Sequence, residues 1–331
     1  MKVALIGVTG LVGKTFLRVM GERSFPAAEL LAVASDRSVG KLIDYNNSKI
    51  EVMGIQQALD LKPHIAFFTA GSSVSKKWAP AFAESGTMVI DNSSAWRMNS
   101  EVPLVIPEIN GHSIQLQHKI IANPNCSTIQ LLMVCSQLHR AYQIDRMVVS
   151  TYQSVSGSGQ KAIDQMMNER RGDYSVKFYP HPIDLNCIPH CGDFDQDGNT
   201  EEEVKLMKET AKILDPAIKV SATAARVPVL GGHSEAVNIR FQKEYQIEEV
   251  LEILENSPGV KVLNKNENFT YPMPLNAADK NEVFVGRIRR DKSEPHSLNL
   301  WIVADNLRKG AATNAIQIAE YCLEKGLIHP S

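Results

Sequence analysis

The sequence predicts an α/β protein with two domains. In the amino-terminal part, short apolar runs alternate with helix-like segments, which is typical of a doubly wound parallel sheet. In the second half, strands recur with alternating polar and apolar residues and few helices, which predicts an α+β domain with a large mixed or antiparallel sheet. A chain of 331 residues is also too long for one simple core.

Apolar runs give the strands in order. The first sheet is predicted to contain residues 3–6, 30–34, 64–69, 88–91 and 119–122. The second is predicted to contain residues 147–155, 221–229, 235–241, 283–289 and 298–304. Residues 173–200 are rich in Pro, Asp and Gly and are expected to form a long excursion, as a lid or an interface arm.

Composition excludes several classes of partner. The formal net charge of −2 provides no broad basic surface, so we expect no nucleic acid partner. Five cysteines without framework spacing indicate a reducing compartment. No leader segment and no apolar stretch of bilayer length is recognisable, so we expect a cytoplasmic protein with no membrane partner.

A glycine-rich turn follows the first strand and opens a helix. Its spacing is G-x-x-G-x-x-G instead of the more familiar G-x-G-x-x-G, but the physical use is the same. Such a turn brings backbone amides and a helix N-terminus close to a pyrophosphate. The expected dinucleotide contacts here are Gly7, Thr9, Gly10, Leu11, Val12 and Gly13.

The loops after later strands are expected to line the same crevice, because the carboxyl ends of parallel strands lie at one edge. Ser35, Arg37 and Ser38 resemble a pocket for the 2′-phosphate of NADP, whereas the neighbouring Asp36 would suit NAD. We favour NADP and leave the strictness of that preference open. Further contacts are expected from Ala70, Gly71, Ser72 and Asn92.

Cys126 is the candidate nucleophile. It follows Asn123-Pro124-Asn125, a turn, and precedes a segment with an apolar stripe at helical spacing. A cysteine at a helix N-terminus ionises more readily, because the macrodipole and free amides there favour an anion. A thiolate is the species that acyl-transfer chemistry requires.

Six segments in order resemble the bacterial aspartate-semialdehyde dehydrogenases over nearly the whole chain: GVTGLVG, SSAWR, NPNCST, STYQSVSGSG, ATAARVPVLGGHSEAV and DNLRKGAATN. The resemblance implies a homodimeric enzyme that reduces L-aspartyl-4-phosphate to aspartate 4-semialdehyde with NADPH. This reaction serves lysine (through diaminopimelate), threonine and methionine biosynthesis. It also implies an NADP-binding domain of Rossmann type at 1–126 plus 306–331, and a catalytic and dimerisation domain at 127–305.

The resemblance assigns roles to individual residues. Cys126 would form a thioester, Gln153 would orient it, and Arg226 would hold the substrate α-carboxylate. His233 would exchange protons, since its ordinary pKa near ~6.5 suits that work. Glu202 would bind the substrate ammonium, although the run Glu201–Glu203 leaves that register open by one residue. The remaining implied contacts are Lys205, Arg97 and Asn125 for phosphate, and Ser156, Gly157 and Asn306 for the cofactor.

Two metal-like patterns are not interpreted as sites. Residues 193–198 imitate a calcium loop, but Val204 stands where the bidentate glutamate is required. Cys187, His190 and Cys191 lack a second ligand pair at a suitable distance. Two alternatives to the leading hypothesis stay open: a related acyl-phosphate reductase, such as N-acetyl-gamma-glutamyl-phosphate reductase, and a non-catalytic NADP-binding redox sensor.

Overall fold

The computed structural model describes residues 1–46, 48–264 and 268–328. Its strands are β1 (Lys2–Ile6), β2 (Glu29–Val33), β3 (Leu42–Tyr45), β4 (Ser48–Glu51), β5 (Ile65–Phe68), β6 (Met88–Asp91), β7 (Ile120–Ala122), β8 (Ile144–Gln153), β9 (Lys219–Arg226), β10 (His233–Phe241), β11 (Val260–Val262), β12 (Val283–Arg290) and β13 (Ser297–Ala304). Its α-helices are α1 (Leu11–Glu22), α2 (Ile55–Asp60), α3 (Ser72–Glu84), α4 (Pro107–Asn110), α5 (Cys126–Tyr142), α6 (Gln160–Glu169), α7 (Glu201–Ile213), α8 (Ile247–Glu255), α9 (Pro274–Ala277) and α10 (Thr313–Glu324).

The chain divides into two compact units, Met1–Pro124 with Ala311–Ser331, and Asn125–Gly310. This division puts Cys126 and Asn306 in the second unit, whereas the expected boundaries put both in the first.

The first unit contains a parallel five-stranded sheet in the order β2-β1-β5-β6-β7. All five strands coincide with predicted apolar runs, and the predicted doubly wound class is confirmed. Buried residues alternate between its two faces, as a sheet covered on both sides requires. One face packs with α1 and α10 and the other with α3, so two apolar clusters enclose the sheet.

The hairpin of β3 and β4 was not expected from the sequence. Its side chains are exposed or only partly buried, so it lacks the continuous apolar run that marked the other strands. It forms a separate two-stranded sheet in the same unit.

The second unit contains the predicted large mixed sheet, in the order β11-β12-β13-β10-β8-β9. Its two outer pairs, β11 with β12 and β8 with β9, are parallel, and the inner pairs are antiparallel. Helix α5 packs against this sheet and is buried along most of its length. Residues 173–200 form no helix or named strand, so the expected irregular excursion is confirmed.

A wider turn precedes the last helix. Arg308–Ala312 forms a π-helical turn, and α10 begins at Thr313. The Oδ1 atom of Asp305 accepts hydrogen bonds from the backbone N–H groups of Leu307 and Arg308, which caps the turn before the helix. Gly310 also lies so close to Cys126 that an added Cβ would be 2.8 Å from its Cβ.

Candidate active site

Cys126 is the first residue of α5, as the sequence predicted. The preceding Asn125 caps the helix, because its Oδ1 accepts hydrogen bonds from the N–H groups of Ser127 at 2.9 Å and Thr128 at 3.3 Å. The backbone N–H of Asn125 in turn donates to Glu209 Oε2 at 2.7 Å. Cys126 is partly exposed and is not part of a disulfide. The positive end of a 17-residue helix therefore lies next to the partly exposed sulfur of Cys126.

Three of the predicted site residues form a row across the second sheet. Gln153 on β8 is paired with Arg226 on β9 and lies opposite His233 on β10. Ser234 pairs with Tyr152, which fixes this register. We call Arg226, Gln153 and His233 the catalytic row. Residues so paired point to the same face of a sheet, and this face is the one that α5 covers.

Gln153 connects the catalytic row with the start of α5. Its Nε2 donates to Ser127 Oγ at 3.0 Å and to Glu202 Oε1 at 3.1 Å. Its Oε1 is buried and accepts no hydrogen bond within the described residues. The amide is thus fixed from the nitrogen side, while its oxygen stays available to a ligand.

Glu202 is the member of the glutamate triplet that joins this cluster. It accepts hydrogen bonds from Asn125 Nδ2 at 2.9 Å and from Gln153, and Lys205 Nζ lies 3.4 Å away. Burial raises the pKa of its carboxyl, but the charges of Lys205 and Arg226 and the two hydrogen bonds outweigh burial and lower the pKa to about 2. Glu202 is therefore ionised.

The two neighbouring glutamates make different contacts. Glu201 is exposed, and its Oε2 lies 3.5 Å from Lys205 Nζ at the outer side of the cluster. Glu203 accepts hydrogen bonds from the N–H groups of Thr200 at 2.6 Å and Ala224 at 2.8 Å, so it joins α7 to β9. The geometry thus favours the register that the sequence proposed.

His233 is the first residue of β10 and is fully buried. The N–H of Ser154 donates to its Nδ1 at 3.1 Å. Since a backbone N–H can only donate, Nδ1 must carry the lone pair and the proton must lie on Nε2. Nε2 has no hydrogen-bond partner in the part of the chain that the structure describes.

The surroundings of His233 disfavour the titration near neutrality that its ordinary pKa suggests. Burial lowers the pKa of His233 to about 3, the Arg226 charge acts in the same direction, and Glu202 opposes them only partly. The imidazole is neutral and presents an N–H group. Its chemistry is that of a hydrogen-bond donor.

Residues assigned to the cofactor form part of the wall around His233. Asn306 Oδ1 accepts hydrogen bonds from Gly232 N at 3.0 Å, Ser154 Oγ at 3.1 Å and Ser156 Oγ at 3.2 Å. A Cβ on Gly157 would lie 2.8 Å from Nη1 of Arg226 and 3.0 Å from Nε2 of His233. Whether Ser156, Gly157 and Asn306 also contact a cofactor stays a prediction.

The first unit carries the predicted nucleotide contacts at one edge of its sheet. The glycine turn leaves β1, the Asp36–Ser38 turn follows β2, Gly71 precedes α3 after β5, and Asn92 follows β6. Thr9 lies in the glycine turn, and Leu11 and Val12 open α1. Predicted contacts at the later strands are Ser35, Arg37, Ser38, Ala70 and Ser72.

The glycine turn fits a bound pyrophosphate. Gly7 has a φ of +97°, and a Cβ there would lie 2.6 Å from Thr69 Oγ1. A Cβ on Gly13 would lie 2.3 Å from Gly7 O. Gly10 caps α1 without any side-chain hydrogen bond from the described residues, so the first amides of the helix are available to an anion.

Arg97, the expected phosphate contact, belongs to the first unit. Its Nε donates to Asn123 O at 2.9 Å and its Nη2 donates to Asn92 O at 3.1 Å. These bonds hold the guanidinium against the loops that follow β6 and β7.

Comparison with known proteins agrees with this geometry. Residues 2–117 match the family model for the NAD-binding domain of semialdehyde dehydrogenases, and residues 135–309 match the model for their dimerisation domain. An aspartate-semialdehyde dehydrogenase from Aquifex aeolicus is 48% identical over 337 residues, covering 99% of both chains. The chain belongs to the aspartate-semialdehyde dehydrogenase family.

Other members of this family are similar over the same length. The Legionella pneumophila enzyme is 44% identical, covering 97% of this chain and 95% of its own. The crystal structure of aspartate semialdehyde dehydrogenase II from Vibrio cholerae is 42% identical, with a TM-score of 0.92 and 98% coverage of both chains. A structure of that enzyme complexed with ASA has a TM-score of 0.93.

Several residues around the family site were not identified from the sequence. Glu209 holds the turn before Cys126, Ser154 sets the tautomer of His233, and Gln130 Nε2 donates to His233 O at 3.4 Å. Only Glu209 left a sequence signal, since it is seven residues from Glu202 and so shares its helix face.

Neither metal-like sequence pattern forms a ligand cluster among the described residues. Residues 1–46, 48–264 and 268–328 contain no group of three or more His, Cys, Asp or Glu side chains that could hold a metal ion. In the calcium-like loop, Asp195 Oδ1 instead accepts hydrogen bonds from the N–H groups of Asp197 and Asn199. Over these residues no helix has the length and apolarity needed to cross a bilayer.

Proposed function

We propose that this protein catalyses the NADPH-dependent reduction of L-aspartyl-4-phosphate to aspartate 4-semialdehyde and phosphate. The observation that carries the proposal is Cys126 at the capped start of α5, one residue from the contact of Ser127 with Gln153. The names of the relatives and the ASA complex of the Vibrio cholerae enzyme support the same substrate.

Substrate recognition follows from the charges of the second unit. Ionised Glu202 pairs with the substrate ammonium, and the guanidinium of Arg226 binds the α-carboxylate. Lys205, Asn125 and Arg97 bind the phosphate. The negative Glu202 and the positive Lys205 then bind opposite ends of a short amino-acid phosphate, its ammonium and its phosphate.

In the first step the Cys126 thiolate attacks the acyl carbon. A C–S bond forms, the C–O bond to phosphate breaks, and phosphate leaves with that electron pair and takes a proton from water. The positive end of α5 stabilises the thiolate, and Gln153 holds the acyl group in line with the sulfur.

The second step reduces the thioester. The glycine turn would hold the nicotinamide cofactor, which would supply a hydride when bound. The Nε2–H of His233 hydrogen-bonds the oxygen that gains negative charge and keeps its proton, in the manner of a neutral electrophilic imidazole. When the resulting thiohemiacetal oxyanion re-forms its C=O bond, the C–S bond breaks, the thiolate is restored and the aldehyde is released.

The finer properties of the enzyme are part of the same proposal. The family model supports a nicotinamide cofactor, and Arg37 between Ser35 and Ser38 supports NADP over NAD. The dimerisation domain of the family supports a homodimer, and the family's role in amino-acid biosynthesis supports a cytoplasmic location. Sedimentation of the purified protein as a monomer would contradict the dimer.

The test is a phosphate-dependent spectrophotometric assay in the reverse direction. Aspartate semialdehyde is offered with NADP or NAD, in the wild type and in Arg37→Ala. We expect turnover with NADP that requires phosphate, and a loss of NADP preference in the variant. N-acetylglutamate semialdehyde serves as the control substrate. Activity with neither nucleotide, or faster turnover of the control substrate, would refute the proposed function.

A further inference from the structure

A second buried glutamate lies directly behind the catalytic row. Glu235 is two residues after His233 on β10, so both side chains point to the same face of the sheet. Opposite Glu235 on β8 is Thr151, whose hydroxyl accepts a hydrogen bond from Gln153 Nε2 at 3.4 Å. The next row on this face is apolar: Val149, Val237 and Leu300.

Within the described structure, no cationic side chain forms an ion pair with Glu235. Its side chain is fully buried, and neither carboxyl oxygen has a hydrogen bond of normal geometry to any described residue. The titratable groups near it are the thiol of Cys135 on α5, the carboxylate of Glu202 on α7 and the neutral His233 on its own strand. Burial raises the pKa of Glu235 well above its ordinary value, and the charge of Glu202 raises it further.

Gln130 supplies the complementary group. It is one helical turn after Cys126 on α5, and its side-chain amide is the hydrogen-bonding neighbour of the Glu235 carboxyl. This contact lowers the pKa of Glu235 and offsets only part of the rise that burial causes. Gln130 Oε1 is buried and accepts no hydrogen bond from the residues described, while Gln130 Nε2 donates to His233 O. An acceptor without a donor thus lies beside a carboxyl group that can supply one.

We propose that Glu235 is a positioning residue that works as a neutral carboxylic acid, donating its proton to Gln130 Oε1. This bond fixes the amide of Gln130, whose other end holds the carbonyl of His233. The helix that carries Cys126 is thereby tied to the strand that carries His233. The inference rests on the proposed function, because it assigns Glu235 to the alignment of those two groups for that reaction.

Neutrality of Glu235 also has a consequence for Glu202. A second carboxylate in this cluster would raise the pKa of Glu202 by repulsion. It would also offset the lowering that the positive charges of Lys205 and Arg226 produce. A protonated Glu235 leaves Glu202 as the anion that meets the substrate ammonium. The two buried glutamates therefore differ in protonation state, as paired acids in one site commonly do.

The test compares Glu235→Gln with Glu235→Leu in the full-length protein. Glutamine keeps a neutral donor, so we expect kcat within about threefold of wild type. Leucine keeps the volume but removes the donor, so we expect kcat to fall about tenfold or more with little change in the KM for phosphate. If Glu235→Leu does not fold, Gln130→Met replaces it, because it removes the other end of the same bond.

A second measurement needs no activity. The folded protein keeps a proton that the unfolded chain releases above the ordinary pKa of 4.5. The wild type therefore loses stability as the pH rises above that value, and Glu235→Gln abolishes this loss. We expect the Tm of Glu235→Gln to exceed that of wild type by an amount that grows between about pH 5 and about pH 8.

The same substitution at the ionised neighbour provides the matched control. Glu202→Gln should instead lower the Tm at neutral pH, because the Glu202 carboxylate is stabilised in the folded state. A Glu235→Gln protein that loses stability at high pH, or loses kcat as severely as Glu235→Leu, would overturn the proposal. Full kcat in Glu235→Leu would overturn the positioning role. If wild type fails to turn over semialdehyde, the proposed function fails, but the Tm comparison still decides the protonation state.

Discussion

The backbone N–H of Ser154 donates to Nδ1 of His233, and this contact decides what His233 can do. With its proton on Nε2 and its pKa lowered to about 3, the ring can stabilise an oxyanion but cannot take up a proton near neutral pH. We therefore predict that His233 shows no titration between about pH 5 and about pH 8 in the free enzyme.

Nitrogen-15 NMR of the labelled imidazoles measures this directly, with His233→Asn used to assign the signal. The expected spectrum shows a protonated Nε2 and an unprotonated Nδ1 throughout the range. A titration with a midpoint near the ordinary histidine value would show that His233 is a conventional acid–base group.

Cys126→Ala should abolish turnover and leave nucleotide binding intact. The loss should be at least about 10³-fold, because no thioester can form. The glycine turn belongs to the first unit, so the Kd for NADPH should stay within about twofold. Rapid-quench assays and fluorescence titration measure the two quantities.

Cys187→Ser is the matched control for this variant. Cys187 is the exposed cysteine, lies in the irregular segment 173–200 and contacts no member of the catalytic row in the described structure. It should keep wild-type kcat. Turnover that survives in Cys126→Ala, or disappears in Cys187→Ser, would move the covalent step to another residue.

Glu202→Gln should raise the KM for aspartate semialdehyde about tenfold or more, because a carboxylate paired with the ammonium is replaced by a neutral amide. The adjacent Glu201→Gln should leave it within about twofold, since Glu201 is exposed and its pair with Lys205 is solvated. Equal effects in the two variants would show that the register of the triplet is wrong.

The pH dependence of unfolding gives Glu202 a separate signature. Its pKa is about 2 in the folded state and 4.5 ordinarily, so its stabilising contribution is present above 4.5 and is lost as the pH falls toward 2. Glu202→Gln should flatten the acid limb of the stability curve over that window. Chemical denaturation in urea at successive pH values measures it.

Some features of this fold could be predicted because they depend only on residues that are close together in the sequence. Strands β1, β5 and β6 are buried on both faces, so they are continuous apolar runs, and Asn125 before Cys126 marks a capped helix start. The exposed β3 and β4 strands carry no such run and were missed.

The arrangement of the site depends on long-range pairing, which no local pattern records. The catalytic row exists because β9, β8 and β10 pair in one register, although Ser154, which follows Gln153, is 79 residues from His233. The low pKa of His233 comes from burial against Arg226, a property of the folded environment. Residue identity supplies the candidate members of the site, and only tertiary structure determines their protonation.

Gly157 should be intolerant of even a methyl group. A Cβ there would meet Arg226 and His233 at 2.8 Å and 3.0 Å, so both side chains would have to shift. Because small misplacements of catalytic groups are costly, Gly157→Ala should lower kcat/KM about tenfold to a hundredfold while the far-UV circular dichroism is unchanged. Gly231→Ala is the matched control, since a Cβ at Gly231 has no neighbour within 4 Å among the described residues. Full activity in Gly157→Ala would mean that Arg226 and His233 can shift without harm to catalysis.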